Sequence, residues 1–338
     1  MTKISKKFRV TLIICLSILL FFSLLLFGIR LYFRVPVLDY YNASEKAFKI
    51  PEIDSGFVPQ GFCYDRQDKV FLTSGYSSKD KPSTVHVIDR ESGNTLHSVE
   101  LLDEDGAPHT GHAGGVGKFK DWVYVAGSSD HCIYVYSYEE ITSGAKQVKS
   151  IGCYFLETYE DDYLKASFLT VVDNRLVVGE FFHEPSYKTL NSHKITSSSG
   201  EKFGGIALEY VLNQDYEYGI ASTPLMAYAL PDKVQGVHFT NENFYLSTSL
   251  GLKHSYVYEY SIQKLEKIAN YEILGEKIEL KAFTQTARLK TYKIPPMSEG
   301  IVIIGSKMYV MSEFACNKYF LGKFVGAKWC YSTDLTQL

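Results

Sequence analysis

Five stretches of this chain can be laid over one another, and that repeat constrains the fold more than any other feature. They read "QGFCYDRQDKVFLTSGY" from Gln60, "GGVGKFKDWVYVAGSS" from Gly114, "ASFLTVVDNRLVVGEF" from Ala166, "QGVHFTNENFYLSTSL" from Gln235 and "EGIVIIGSKMYVMSEF" from Glu299. Four of them align over sixteen residues without a gap, and the first needs one inserted residue. Each is a short apolar run, a polar turn and a second run that alternates apolar with small residues, which is the pattern of a β-hairpin. A hairpin cannot bury its own apolar face, so five copies in one chain predict stacked units sharing a continuous core.

Every copy is followed by a Tyr-rich and β-branched run that reads as a third strand: "STVHVIDRESG", "HCIYVYSYEE", "GGIALEYVLN", "HSYVYEYSI" and "FVGAKWCYSTDL". A fourth run, "TLHSVELL", "KSIGCYFL", "PLMAYALP" or "LKTYKIPP", leads back to the next hairpin. Four antiparallel strands per unit, at intervals of 54, 52, 69 and 64 residues, predict an all-β fold, a five-bladed β-propeller. The last unit runs out of chain after its third strand. The N-terminal "AFKIPEIDSGFVPQG" matches the segments that precede the other hairpins, so a strand over about 45–51 is expected to close the last blade and remove the open sheet edge. The propeller would then occupy residues 45–338.

Two insertions interrupt the rhythm. His183 to Phe203 is polar, Ser- and Lys-rich, and falls between the second and third strands of unit three. A loop of that length in a compact domain usually carries function or moves. Gln263 to Gly275 reads as a short helix outside unit four.

The N-terminus is of another kind. "TLIICLSILLFFSLLLFG", from Thr11 to Gly28, carries no charge and is long enough to cross a bilayer. No small-residue cleavage site follows it, which favours an uncleaved signal-anchor over residues 11–33 against a cleaved signal peptide. Lys3, Lys6, Lys7 and Arg9 precede the span and only Arg30 and Arg34 closely follow it. The positive-inside rule therefore expects residues 1–10 in the cytoplasm, a stalk over 34–44, and an extracytoplasmic propeller on the cell membrane. Of the chain's 35 Lys and Arg six lie in the first forty residues, and of its 38 Asp and Glu only Asp39 does, which leaves the rest at net −8. An acidic domain without a basic run is a poor partner for nucleic acid. A small molecule, a sugar or a peptide is the expected partner. Of six cysteines, Cys15 lies in the span and the remaining five show no CxxC spacing. An exported domain would permit Cys132–Cys153 or Cys316–Cys330 bridges, with small buried thiols as the alternative.

The repeat also locates a site. In a blade the start of the first strand and the end of the second are neighbours, so these positions gather at one mouth of the central channel. The first reads Gln60, Gly114, Ala166, Gln235, Glu299 around the ring; the second reads Gly75, Ser128, Glu180, Ser249, Glu313. His112 lies two residues before its copy, with His109 close by. Glu180, Glu299 and Glu313 are thus the candidate catalytic carboxylates, and Gln60, His112, Gln235, Ser128 and Ser249 the candidate ligand-binding residues. Against this stands the plain alternative that strand-end Gln, Ser and Glu simply satisfy backbone groups or face water. No resident cofactor is called for and no metal site is assigned; a cation held by the three glutamates would be oxygen-ligated and calcium-like. There is no G-x-S-x-G elbow, P-loop or H-E-x-x-H, and "GHAGGVGKF" leads into a strand rather than the helix N-terminus that phosphate binding needs.

The set "VPQG", "HAGGV", "ASFLTVVDNRLVVGEF", "KVQGVHF" and "PPMSEG…NKYF" resembles an uncharacterised family of secreted or membrane-anchored bacterial propeller proteins. That resemblance covers most of the domain and implies a propeller outside the cytoplasm, with no activity attached. "QGVHFTNENFYLSTSLG" and "QGFCYDRQDKVFLTSGY" are also similar to the blade hairpin of the five-bladed glutaminyl cyclases (glutamine cyclotransferases). This similarity implies a glutamate at the channel mouth shuttling a proton while an N-terminal Gln cyclises and releases ammonia. It is carried by the blade repeat and assigns no catalytic residue here. Three functions follow as expectations: a ligand- or partner-binding propeller at the cell surface; an enzyme using the mouth glutamates as general acid and base, whether cyclotransferase, lyase or hydrolase; or a structural module of the envelope.

Overall fold

The computed structural model describes residues 6–77, 81–159 and 162–338. The chain is mostly β, in a propeller-like arrangement, preceded by one apolar helix.

Each repeat forms the inner hairpin of one sheet. In unit one the strands are Phe57–Asp65, Val70–Ser77, Thr84–Asp89 and Thr95–Leu102; in unit two Val116–Phe119, Trp122–Gly127, Cys132–Ser137 and Gly152–Phe155. Unit three has Phe168–Val172, Arg175–Gly179, Gly205–Val211 and Met226–Leu230, and unit four has Val234–Phe239, Asn243–Thr248, Ser255–Ser261 and Arg288–Ile294. In unit five Ser298–Ile304, Lys307–Ser312 and Trp329–Asp334 are joined by Ser44–Lys49 from the N-terminus, antiparallel to Trp329–Asp334. The closing strand thus lies within a residue or two of its expected place. The first strands touch in a closed cycle: unit one meets two, two meets three, three meets four, four meets five, and five meets one.

Two sheets exceed the expected four strands, for a shared reason. In units two and four the link between third and fourth strands reaches back to the outer edge of the preceding unit. Gln147–Lys149 of unit two pairs in parallel with Thr95–Leu102 of unit one. The segment expected to be a helix at Gln263–Gly275 is instead the strand Glu266–Ile273, after one 3₁₀ turn at Ile262–Lys264. It pairs with Glu276–Ala282, which lies parallel to Met226–Leu230 of unit three. An exposed outer edge offers unpaired N–H and C=O groups, and their satisfaction outweighs the weak helical pattern of "QKLEKIANYEILG".

Cys132 and Cys153, on adjacent strands of unit two with Cα atoms 6.1 Å apart, form a disulfide. Cys316 and Cys330 are free and buried, as is Cys63.

The helix runs from Lys6 to Arg34, and its apolar window is fully exposed. By length and composition it is the one helix among the described residues able to cross a membrane. Its end is docked. Phe33 is buried against Phe314, ring centroids 4.9 Å apart, and its carbonyl accepts from His254 Nε2 at 3.3 Å. Arg34 stacks on Tyr41 at 3.8 Å. The segment expected to be a stalk is a 3₁₀ turn, Val35–Val37, followed by the short helix Leu38–Asn42. Val37 and Tyr40 are buried with Tyr292, Ile294 and Tyr331, so this segment wedges between units four and five.

Candidate functional site

At one mouth of the channel a cavity of about 380 Å³ opens among the ends of the inner hairpins. Its position follows from the backbone. In units one, four and five the pairing of first and second strands slips between Pro59 and Phe62, between Val234 and Gly236, and between Ser298 and Ile301. A bulge breaks the strict alternation of strand side chains and re-aims the one that sits in it. The residues in these slips are Gln60, Gln235 and Glu299, and all three line the cavity.

The glycine after each is fixed by crowding at the axis. A Cβ on Gly300 would lie 2.6 Å from the Phe62 nitrogen and 2.9 Å from the Gln60 carbonyl oxygen. On Gly61 it would lie 2.5 Å from the Val116 nitrogen. The Gln-Gly and Glu-Gly dipeptides of the repeat therefore combine two requirements: a polar side chain turned into the channel and a bare backbone against the next unit.

Two parallel contacts line the floor. Gln60 Nε2 donates to Glu313 Oε2 at 3.3 Å, and Gln235 Nε2 donates to Glu299 Oε1 at 3.3 Å. Glu299 is 2% exposed, and burial first, then the neighbouring charge of Glu313, holds its carboxyl well above the usual range. Glu313 is half-buried; burial pushes it up to about 7, against the opposing pull of Lys318 and of hydrogen bonds from Tyr319 and Gln60. Burial thus opposes ionisation of both carboxyls, and the charge of Glu313 opposes that of Glu299 further. Above them Lys318 Nζ donates to the Tyr76 hydroxyl at 3.0 Å, and Tyr76 meets the edge of His112, ring centroids 4.7 Å apart. Ser128 and Ser249 complete this wall, Ser249 accepting from Gln235 at 3.5 Å.

Seven of the eight candidate residues thus line one cavity. Glu180 does not. It is 1% exposed and accepts from His193 Nδ1 at 2.8 Å, the Ile206 N–H at 3.3 Å and the Lys165 N–H at 3.5 Å. A carboxylate so engaged is satisfied by the long loop that carries His193, and it pins that loop. The placement takes Glu180 out of any joint oxygen cluster with Glu299 and Glu313. Among the described residues no group of three or more His, Cys, Asp or Glu converges as metal ligands would. His109 is likewise outside the cavity, buried against Tyr134 with ring centroids 4.5 Å apart.

Sequence reasoning missed Lys318, Tyr319 and Tyr76, which line the cavity's rim. The first two stand in "NKYF", directly beyond the fifth hairpin, and could have been found by continuing the fifth copy one turn further. The polar loop after Glu180, expected to carry function or to move, brings Ser186, Tyr187 and Lys188 to the cavity.

No family model matches the chain, and no curated protein matches it in sequence. Solved structures do. A glutaminyl cyclase from Myxococcus xanthus is 12% identical, with 86% of this chain and 94% of that one covered and a TM-score of 0.39. BamB from Moraxella catarrhalis is 11% identical over 82% and 84%, TM-score 0.35. A putative oxidoreductase (glucose dehydrogenase) from Thermus thermophilus is 9% identical over 86% and 98%, TM-score 0.43. At such distances these likenesses assign no function.

Proposed function

We propose that this chain is a membrane-anchored five-bladed propeller whose mouth cavity binds a small polar ligand and exchanges a proton with it. The closed cycle of five first strands supports the blade count. The exposed apolar helix and the basic residues ahead of it support an anchor with its N-terminus in the cytoplasm and the propeller outside. The observation that carries the reading is the Glu299–Glu313 pair, two carboxyls gathered on the floor of a polar cavity with one amide donor each. A buried carboxyl whose ionisation is opposed, as in Glu299, can donate a hydrogen bond that a carboxylate cannot, while a neighbour titrating near 7 can accept a proton. The rim supplies a cation at Lys318 and hydroxyls at Tyr76, Ser128 and Ser249, which suit a neutral or zwitterionic ligand such as a sugar or an amino-terminal peptide.

The enzymatic reading rests on the same pair: Glu313 would act as general base and Glu299 as general acid, as in a cyclotransferase, lyase or hydrolase. A thermal-shift screen of the full chain in detergent against sugars, metals and peptides with an N-terminal Gln tests the site. A ligand shift should vanish in Glu299→Gln and in Glu313→Gln, and a shift unaffected by both sinks the assignment. If turnover is found, its rate should climb through pH 7 and lose that limb in Glu313→Gln.

A further inference from the structure

The helix leaves the domain on the same side as the mouth cavity. Phe33 packs on Phe314, the residue after Glu313, and its carbonyl bonds His254, in the loop that follows Ser249. Beside this exit lies a second, larger cavity of about 820 Å³, which shares Ser249 and Leu250 with the first. Tyr32 of the helix forms one wall.

The charge of this groove runs against that of the domain. Lys233, Lys253, Lys293 and Arg288 line it, against one carboxylate, Asp232, although the chain beyond residue 40 carries net −8. Among the described residues none of the four cations forms an ion pair with a carboxylate; Arg288 is held at the far end by the Tyr260 hydroxyl at 2.9 Å and stacked on Tyr258 at 4.0 Å. Two of the lysines stand near the helix end: Lys253 adjoins His254, and Lys293 pairs across the sheet with Tyr256. Around the same face, large apolar side chains stand in solvent: Tyr32 is 70% exposed, Phe320 63%, Tyr187 53% and Leu252 49%. Aromatics and leucines interleaved with lysines at the end of a membrane helix are the composition of a bilayer interface, where rings sit among headgroups and ammonium groups reach phosphates.

We infer that this groove seats the phosphate of an anionic glycerophospholipid on Lys233, Lys253 and Lys293, and so holds the mouth face against the membrane from which the helix emerges. The inference rests on the proposed anchor. Its consequence is that the Glu299–Glu313 cavity opens onto the headgroup layer, and a ligand reaches it along the bilayer surface.

The test uses the full chain in lipid nanodiscs. Co-purification with the disc comes first, because a chain that does not enter the bilayer refutes the anchor and not the groove alone. Lysine acylation read by mass spectrometry then compares discs of phosphatidylcholine with discs containing phosphatidylglycerol. Lys233, Lys253 and Lys293 should each react about 5-fold more slowly in the anionic discs. Lys120, at the turn of the unit-two inner hairpin and lining neither of these two cavities, should not change. Equal rates in the two discs overturn the inference. Protection that appears in phosphatidylcholine discs on adding inorganic phosphate, and is no greater with phosphatidylglycerol, overturns the lipid as occupant. Native mass spectrometry adds an independent measure: phosphatidylglycerol retained by the wild type should be lost in Lys253→Gln/Lys293→Gln. Both lysines are exposed, so this variant should keep its fold, and unchanged retention in it also overturns the inference.

Discussion

Glu180 and Glu313 occupy the same position in two copies of the same hairpin, and the molecule treats them oppositely. Glu180 faces His193 and two backbone N–H groups and is closed off from the channel. Glu313 faces Gln60 and the cavity, with Lys318 beyond. Position in the repeat determines where a side chain begins. The neighbouring loop determines where it ends: unit three carries the long insertion that folds over Glu180, whereas in unit five the corresponding segment places Lys318 and Tyr319 at the rim and leaves Glu313 accessible. A carboxylate in the first setting has its hydrogen bonds satisfied within the fold, and one in the second is held where burial opposes its charge.

The sharpest way to break this comparison is to remove each carboxylate. Glu180→Ala leaves a buried imidazole and two backbone N–H groups, one of them buried, without their acceptor, and should lower unfolding stability by about 3–5 kcal/mol. Glu313→Gln should not destabilise the protein at pH 7.5 or above. Chemical denaturation of the two variants in detergent checks both, and a loss of equal size in each would erase the distinction.

The next effect is a dependence on pH. The Glu313 carboxyl, raised from 4.5 to about 7 in the folded protein, binds its proton more tightly folded than unfolded. Its favourable contribution is therefore fully present below pH 4.5 and is lost as pH rises through about 7. The loss should amount to on the order of 2–3 kcal/mol, reduced from the full shift because the group is only partly buried. Unfolding free energies measured from pH 4.5 to 8 should fall in the wild type and stay flatter in Glu313→Gln. A wild-type profile as flat as the variant's would refute a raised carboxyl there.

How much of this was legible beforehand divides along the same line. The hairpin pattern gave the strands of every unit and the closing strand from the N-terminus, because apolar alternation and turn residues are local and the ring repeats them. It also gave Gln60, Gln235 and Glu299, since each occupies the strand start where the pairing slips. Contacts between units were not legible. The segment at Gln263–Gly275 reads as a helix in isolation and becomes a strand only because the edge of unit three is there to pair with. Glu180 could not be separated from Glu313 by the repeat, because the difference lies in His193, thirteen residues away in a loop without periodicity. Lys318 was invisible for the same reason: its relevance depends on how the chain turns after Phe314.

The smallest effect tests the rim and sharpens what makes Glu313 different. Lys318 is exposed, yet its ammonium is among the groups that hold Glu313 below where burial alone would put it. Lys318→Met removes that pull while keeping most of the chain's length and its packing on Tyr76. The Glu313 midpoint, read from the pH dependence of stability or of ligand binding, should then move upward by about 0.5–1 unit, the low end for a carboxylate losing a cationic neighbour because solvent screens the charge. Lys318→Arg should restore the wild-type midpoint. Added salt should move the wild type in the same direction as the Met variant, by less, and should leave the variant nearly unmoved. A downward shift in Lys318→Met would mean that the lysine does not act on Glu313 through its charge, and would leave Gln60 and Tyr319 as the groups that restrain it.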